Sequence, residues 1–221
     1  MKDKIDLKNI IHWLAGIVAC SFGVCMCTKA GFGLSMIAAP PYILHVFMSR
    51  FFSWYTQGRS EYIWELFLLI VMCIAIQRFR LKFLLSFGTA VLVGLLIDGF
   101  FSILGGNGSY STLAGRIVAF IVGTLITCCA IAFIFRTTLP GQVYEMFVIN
   151  VSERYGFDRD KVKLVHDICM LVISLVLAFA LTGGFTGIGI GTVVTAFINS
   201  PLIKFFGMII DKAENSLQKP K

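Results

Sequence analysis

Residues 181–206 read LTGGFTGIGIGTVVTAFINSPLIKFF, with five glycines among the nine residues 183–191 and an apolar run after them. Glycine-rich turns that open a helix cradle phosphates in nucleotide-binding proteins. They also let membrane segments turn tightly and approach one another closely. Neighbouring residues separate the two readings. A Walker-type phosphate loop carries a lysine just before its Ser or Thr, whereas here Gly191 precedes Thr192 directly. A dinucleotide fingerprint needs a preceding strand and an acid about 20 residues on. The acid at that spacing, Asp211, ends an apolar helix. The stretch therefore reads as a turn between two membrane segments, with Gly187, Gly189 and Gly191 at close-packing positions.

Composition supports that reading. Of 221 residues, 57% are hydrophobic and 14% charged, where a soluble domain carries about 25% charged residues. Mean hydropathy is +0.86. So much apolar surface cannot be hidden in a core of this size, so a lipid bilayer is the expected partner. The net charge of +7 does not indicate nucleic acid, because the Lys and Arg residues lie between apolar runs and at the termini rather than in a basic stripe. The seven cysteines all fall inside apolar runs, as small packing residues do. Cys25 and Cys27 point about 200° apart on a continuous helix and cannot share an ion. We expect no metal and no cofactor.

Four segments exceed the span requirement of about 17 residues, namely 10–28, 83–104, 113–135 and 189–210. Segments 61–77 and 164–181 are shorter, with Glu65 and Asp167 near their starts. Residues 34–53 are interrupted by Pro40-Pro41, and 141–155 reads as an amphipathic helix. The first segment contains IVAC at 17–20, which imitates a lipoprotein cleavage box. We expect it to be kept as a helix, because everything downstream is polytopic.

The chain repeats itself. Gly88-Thr89 aligns with Gly191-Thr192 and Glu65 with Asp167, and TKAGFGLSM (28–36) falls over RTTLPGQVY (136–144), at offsets of 103, 102 and 108. The halves are 10–104 and 113–210, within one membrane domain spanning 1–221. Their loops carry opposite charge richness. QRFRLK (77–82) holds three positive charges where TGGFTGIG (182–189) holds none. Residues 29–60 hold three against five in 136–163, and the N-terminus holds three against one in 105–116. Parallel halves should share loop charge and inverted halves should oppose it. The expectation is an all-α polytopic membrane protein. It has six transmembrane helices, two short broken or amphipathic helices and an inverted repeat. The tails 1–9 and 212–221 are both expected to be cytoplasmic.

Ionisable groups inside spans are costly and mark functional sites. Candidates for solute binding or coupling are Asp98, Glu65, Asp167, His166, Lys29 and Asn199. Helix-break and close-packing candidates are Gly31, Gly33, Pro40, Pro41, Gly187, Gly189, Gly191 and Pro201. No nucleophile–base set and no HExxH, GxSxG or CxxC motif is present, so an enzyme is not expected.

Lys29-Ala30-Gly31-Phe32-Gly33-Leu34-Ser35, Gly189-Ile190-Gly191-Thr192 with Asn199-Ser200-Pro201-Leu202-Ile203, and the doubled layout resemble the YczE/YyaS/YitT-type bacterial membrane proteins. The resemblance covers residues 10–210 and departs where Asp98 stands in the place of Pro201. It implies a bacterial cytoplasmic-membrane protein of largely uncharacterised function, with no family site to carry over. Inverted repeats with interrupted helices recur in secondary transporters, so the expected function is transport of a small polar or amphiphilic solute. A membrane scaffold or regulator is the alternative, and a thiol or metal enzyme a lesser one. Self-association is compatible with this sequence.

Overall fold

A computed structural model describes residues 7–217. The parts of the terminal tails at 1–6 and 218–221 lie outside the described residues. The elements are α1 (Leu7–Ala30), α2 (Ala39–Met48), α3 (Gln57–Ile76), α4 (Lys82–Ile103), α5 (Leu113–Ile134), α6 (Val143–Tyr155), α7 (Arg159–Leu177, continued by a π turn at Ala178–Thr182) and α8 (Ile190–Leu217). Among the described residues there is no strand. Five helices are long and apolar enough to cross a membrane: α1, α4, α5, α7 with its π turn, and α8. At 20 residues α3 is as long as a span but carries Arg59, Glu61 and Glu65. With 10 and 13 residues, α2 and α6 extend only about 15 and 20 Å at 1.5 Å per residue. Residues 34–53 therefore do not make a spanning helix, because Pro40 and Pro41 start a new helix at its first turn.

Small residues set the central contact. Gly16 of α1 lies against Ala130 and Ile134 of α5, Gly23 against Gly123 and Thr127, and Gly31 beyond the helix against Arg116. Position rises along α1 as it falls along α5, so the two helices pack antiparallel, and the absent Cβ atoms allow the close approach. A second glycine pair, Gly58 and Gly94, brings the backbones of α3 and α4 into contact.

One end of the bundle gathers the start of α1 and the end of α8. There Lys8 Nζ meets Glu214 Oε2 at 2.6 Å, Trp13 Nε1 donates to Pro140 O at 2.9 Å, and Thr137 Oγ1 donates to Asn9 O at 3.0 Å. Arg136 grips Asp211 through Nε and Nη2, each at 2.6 Å, and the carboxylate raises the guanidinium above its ordinary pKa. At the opposite end Lys29 Nζ donates to Gly106 O at 2.9 Å and Arg116 donates to Ala30 O and Gly31 O, each at 2.8 Å.

Three apolar clusters form the interior, around Trp64, Met72 and Phe83, around Ile17, Val93 and Ile97, and around Leu34, Ile43 and Ala178. The outer faces stay apolar. On α3 alone Ile63, Leu66, Phe67, Ile70 and Ile74 are exposed, while Glu61 and Glu65 point inward and are buried.

Candidate functional site

Two breaks in the helices cross each other near the end opposite the termini. The chain leaves α1 through Gly31 and Gly33, at φ 65° and 98°, and enters α8 through Gly187, at φ 74°. These left-handed values are cheap only for glycine. The segments bond backbone to backbone, Leu34 N to Gly187 O at 2.9 Å and Gly191 N to Phe32 O at 2.7 Å. A Cβ on Gly33 would stand 2.5 Å from Gly189 N, and one on Gly189 would stand 2.5 Å from Phe32 O. Gly187, Gly189 and Gly191 thus form a crossing point between two broken segments, whereas a Cβ on Gly183 or Gly184 would meet nothing within 4 Å.

Beneath the crossing lies a cavity of about 30 Å³ walled by α1, α5, α8 and the 33–38 segment. Its polar lining is Ser35, Thr124, Thr127, Thr195 and Asn199. This is room for a water or a small polar group, which needs roughly 10–15 Å³ of such volume. A hollow of about 410 Å³ lies beside it and shares Cys27, Gly33 and Leu34 as walls. No ionisable carboxylate or ammonium lines either space. Cys128 Sγ donates weakly to Asn199 Oδ1 at 3.6 Å.

A second polar centre lies where α6 starts. Glu65 is fully buried, and its Oε2 accepts the Val143 N–H at 2.8 Å. That N–H belongs to the first residue of α6, where a helix terminus offers free donors and a partial positive charge. Oε1 of Glu65 is buried without a partner, as is Oε2 of Glu145. Glu61, one turn before Glu65, is buried and accepts the Tyr144 hydroxyl at 3.3 Å. Thr89 Oγ1 and Trp13 Nε1 both donate to Pro140 O and so fix the approach to α6.

The remaining candidates spread over the molecule. Asp98 accepts Thr56 Oγ1 at 2.6 Å and Gly58 N at 2.8 Å, so it closes the N-terminus of α3 and lines neither space. Asp167 binds Lys163 at 2.7 Å and faces His166 Nδ1 at 3.4 Å. His166 Nε2 is buried without a partner, and its ring lies 5.1 Å from the Phe147 ring of α6 at a tilt of 44°. Glu65, His166 and Asp167 therefore flank α6 from its two neighbours, α3 and α7. Lys29 is buried over the Tyr110 ring, 5.0 Å from its centroid. Pro201 lies inside α8 without ending it. Sequence reasoning missed Glu61, Tyr144 and Glu145 as site residues. The signal was there in the i, i+4 spacing of Glu61 and Glu65 and in an acid just after the Pro140-Gly141 break. It also missed the hydroxyls, though Thr124–Thr127 and Thr195–Asn199 each share a helix face.

Five apolar helices arranged around buried polar groups make this a multi-pass helical membrane protein. The chain belongs to the family of unknown function DUF6198, whose model matches residues 7–208. No curated protein and no solved structure matches the chain.

Proposed function

We propose that the protein is a secondary transporter of a small, uncharged polar or amphiphilic solute. Its site is the hydroxyl-lined cavity under the crossed breaks, with the larger hollow as its mouth. The observation that carries this reading is the crossing of two glycine-broken segments, one from each half of the chain, directly over that cavity. Irregular backbone at a helix break is tolerated in membranes where it lines a cavity, and transporters place their substrates there. Ser, Thr and Asn without charge suit a solute that forms hydrogen bonds but carries no net charge.

The halves form an inverted repeat on this reading, and α3 is the sixth span. Support comes from equivalent helices meeting as an inversion requires. α1 and its counterpart α5 run antiparallel, α2 packs on α3 and α7 just as α6 packs on α7 and α3, and α1 packs on α4 as α5 does on α8. The pairing breaks at two places among the described residues, and at one of them α4 packs on α6 whereas α8 and α2 do not touch. At the other, α3 and α4 touch through Gly58 and Gly94, whereas α7 and α8 make no contact. By the repeat offset the residues corresponding to that glycine pair are Asp160 and Phe197, too large for such an approach. One hairpin closed and its counterpart open is the asymmetry that alternating access needs. Both termini are cytoplasmic in this reading, since 14 of the 19 Lys and Arg fall on their side and four on the other. The likeness to YczE/YyaS/YitT-type proteins adds a bacterial cytoplasmic membrane.

Flux into proteoliposomes tests the function. A panel of labelled neutral polar and amphiphilic solutes should include one whose uptake falls at least tenfold in Asn199→Leu. Absence of flux for the whole panel, or uptake unchanged in Asn199→Leu and Thr195→Val, overturns the proposal.

A further inference from the structure

The acids beside α6 are not used by the cavity, and their surroundings leave them without a cation. We propose that Glu61, Glu65 and Glu145, with the Tyr144 hydroxyl, form a proton-binding site. As the coupling site of transport this assignment rests on the reading above. As a site that takes up and releases protons it stands alone.

Three observations carry it. First, the carboxyls gather at the start of α6, with Glu65 0% exposed and Glu61 6%. Glu145 follows Tyr144 in the chain and is half-buried, with its Oε2 shielded from solvent. Second, their bonding is incomplete. The α6 terminus satisfies Glu65 Oε2 and Tyr144 satisfies Glu61 Oε1, but Glu65 Oε1 and Glu145 Oε2 face no donor. A buried ionised oxygen without a donor or a cation is strongly disfavoured, and like charges nearby disfavour it further.

Third, the elements packed around the site do not supply the missing charge. Lys163 of α7 acts on Glu145, but its ammonium is bonded to Asp167 and its side chain is 42% exposed. His166 faces Asp167. His45 of α2 is bonded to Tyr55 O and Asn107. Tyr42 is the other titratable group of α2. On α4 no titratable side chain lies between Lys82 and Asp98. Among the described residues no three acid, His or Cys groups converge as metal ligands do. What neutralises the site is therefore the proton, which needs no cage. Each uptake converts one carboxylate and one hydronium ion into a carboxylic acid and water. The three acids give places for more than one proton, and the Tyr144 hydroxyl donates to one of them.

Infrared difference spectra of the full-length protein in lipid nanodiscs, taken between neutral and alkaline buffer, test this without any solute. The expected result is loss of a carboxylic-acid carbonyl band on alkalinisation. That band is diminished in each of Glu61→Gln, Glu65→Gln and Glu145→Gln, and is unchanged in Glu214→Gln. Gln imitates the protonated acid, so these variants keep the fold. Should one of them unfold, the other two decide. A spectrum without the band, or a band that all three variants retain, overturns the proposal. A titrating band in a protein that moves no solute sinks the transport reading and keeps the proton site; flux without the band does the reverse.

Discussion

Single residues divide here into those that hold backbone and those that hold charge. Gly33 does the first. It combines φ 98° with a place for Cβ only 2.5 Å from Gly189 N. Gly33→Ala should therefore cost about 2–4 kcal/mol, adding left-handed strain to displacement of a packed backbone. Thermal unfolding in detergent measures it, and an unchanged midpoint would mean that the two breaks do not touch. Asp98 illustrates how far the sequence can be read. An acid inside an apolar helix suggested a site, but its oxygens are spent on Thr56 and the α3 terminus. Asp98→Ala should lose about 0.5–2 kcal/mol as a lost cap, seen in the same melt. Solute affinity measured on protein that remains folded should not change, which separates capping from binding. Glu65 was visible in the sequence as a carboxylate in an apolar segment, and the structure buries it. Its partners were hidden because they come from α6, 78 residues away at Val143, and no local period connects the two.

Elements show the same division between local and distant signals. The long apolar helices, the two short helices and the breaks were readable, but the helix ends were not: α3 and α7 start at Gln57 and Arg159 rather than 61 and 164, and α8 runs on to Leu217 through part of the expected tail. Proline at a first turn, glycine at a break and runs of about 20 apolar residues act within one or two turns. The closeness of α3 to α4 was not readable, although both glycines are visible. A glycine in an apolar helix looks the same whether it meets another helix or open space, as Gly88 does. The contact itself is testable. Gly94→Leu inserts four carbons against the Gly58 carbonyl and the Tyr62 ring. Overpacking costs typically about 1–3 kcal/mol, and in this backbone contact the upper end is expected. Gly88→Leu, which meets nothing within 4 Å, should leave the melting temperature where it was. Equal effects in the two variants would show that α3 and α4 do not cross at this point.

For the whole molecule the deciding question is whether α3 crosses the bilayer, since that fixes six spans and the sense of the repeat. Counted along the sequence, α3 looks like a poor span. Each ionised group at the centre of a lone helix costs about 2.5–3.5 kcal/mol on insertion scales, against about 0.3–0.6 gained per large apolar residue. The fold changes that balance. Glu61 and Glu65 turn inward against α6, while Ile63, Leu66, Phe67, Ile70 and Ile74 face out, so a crossing α3 would turn this apolar side to lipid. A crossing α3 separates the 49–56 loop from the 77–81 loop. Exposed Phe51, Phe52 and Trp54 would then form an interfacial aromatic belt on one side, and Arg78, Arg80 and Lys82 would lie on the other. Single cysteines at Ser53, Arg80, Lys161 and Gly184 distinguish the arrangements when intact cells are treated with an impermeant maleimide, the unsubstituted protein giving the background. Ser53→Cys and Gly184→Cys should label in intact cells, Arg80→Cys and Lys161→Cys only after lysis. If α3 does not cross, Arg80→Cys labels together with Ser53→Cys. An odd number of spans would then have to carry a chain in which the start of α1 and the end of α8 are bonded to each other through Lys8 and Glu214. The proposed topology, which counts α3 as a span, puts the start of α1 and the end of α8 on one side, in keeping with the contact between Lys8 and Glu214.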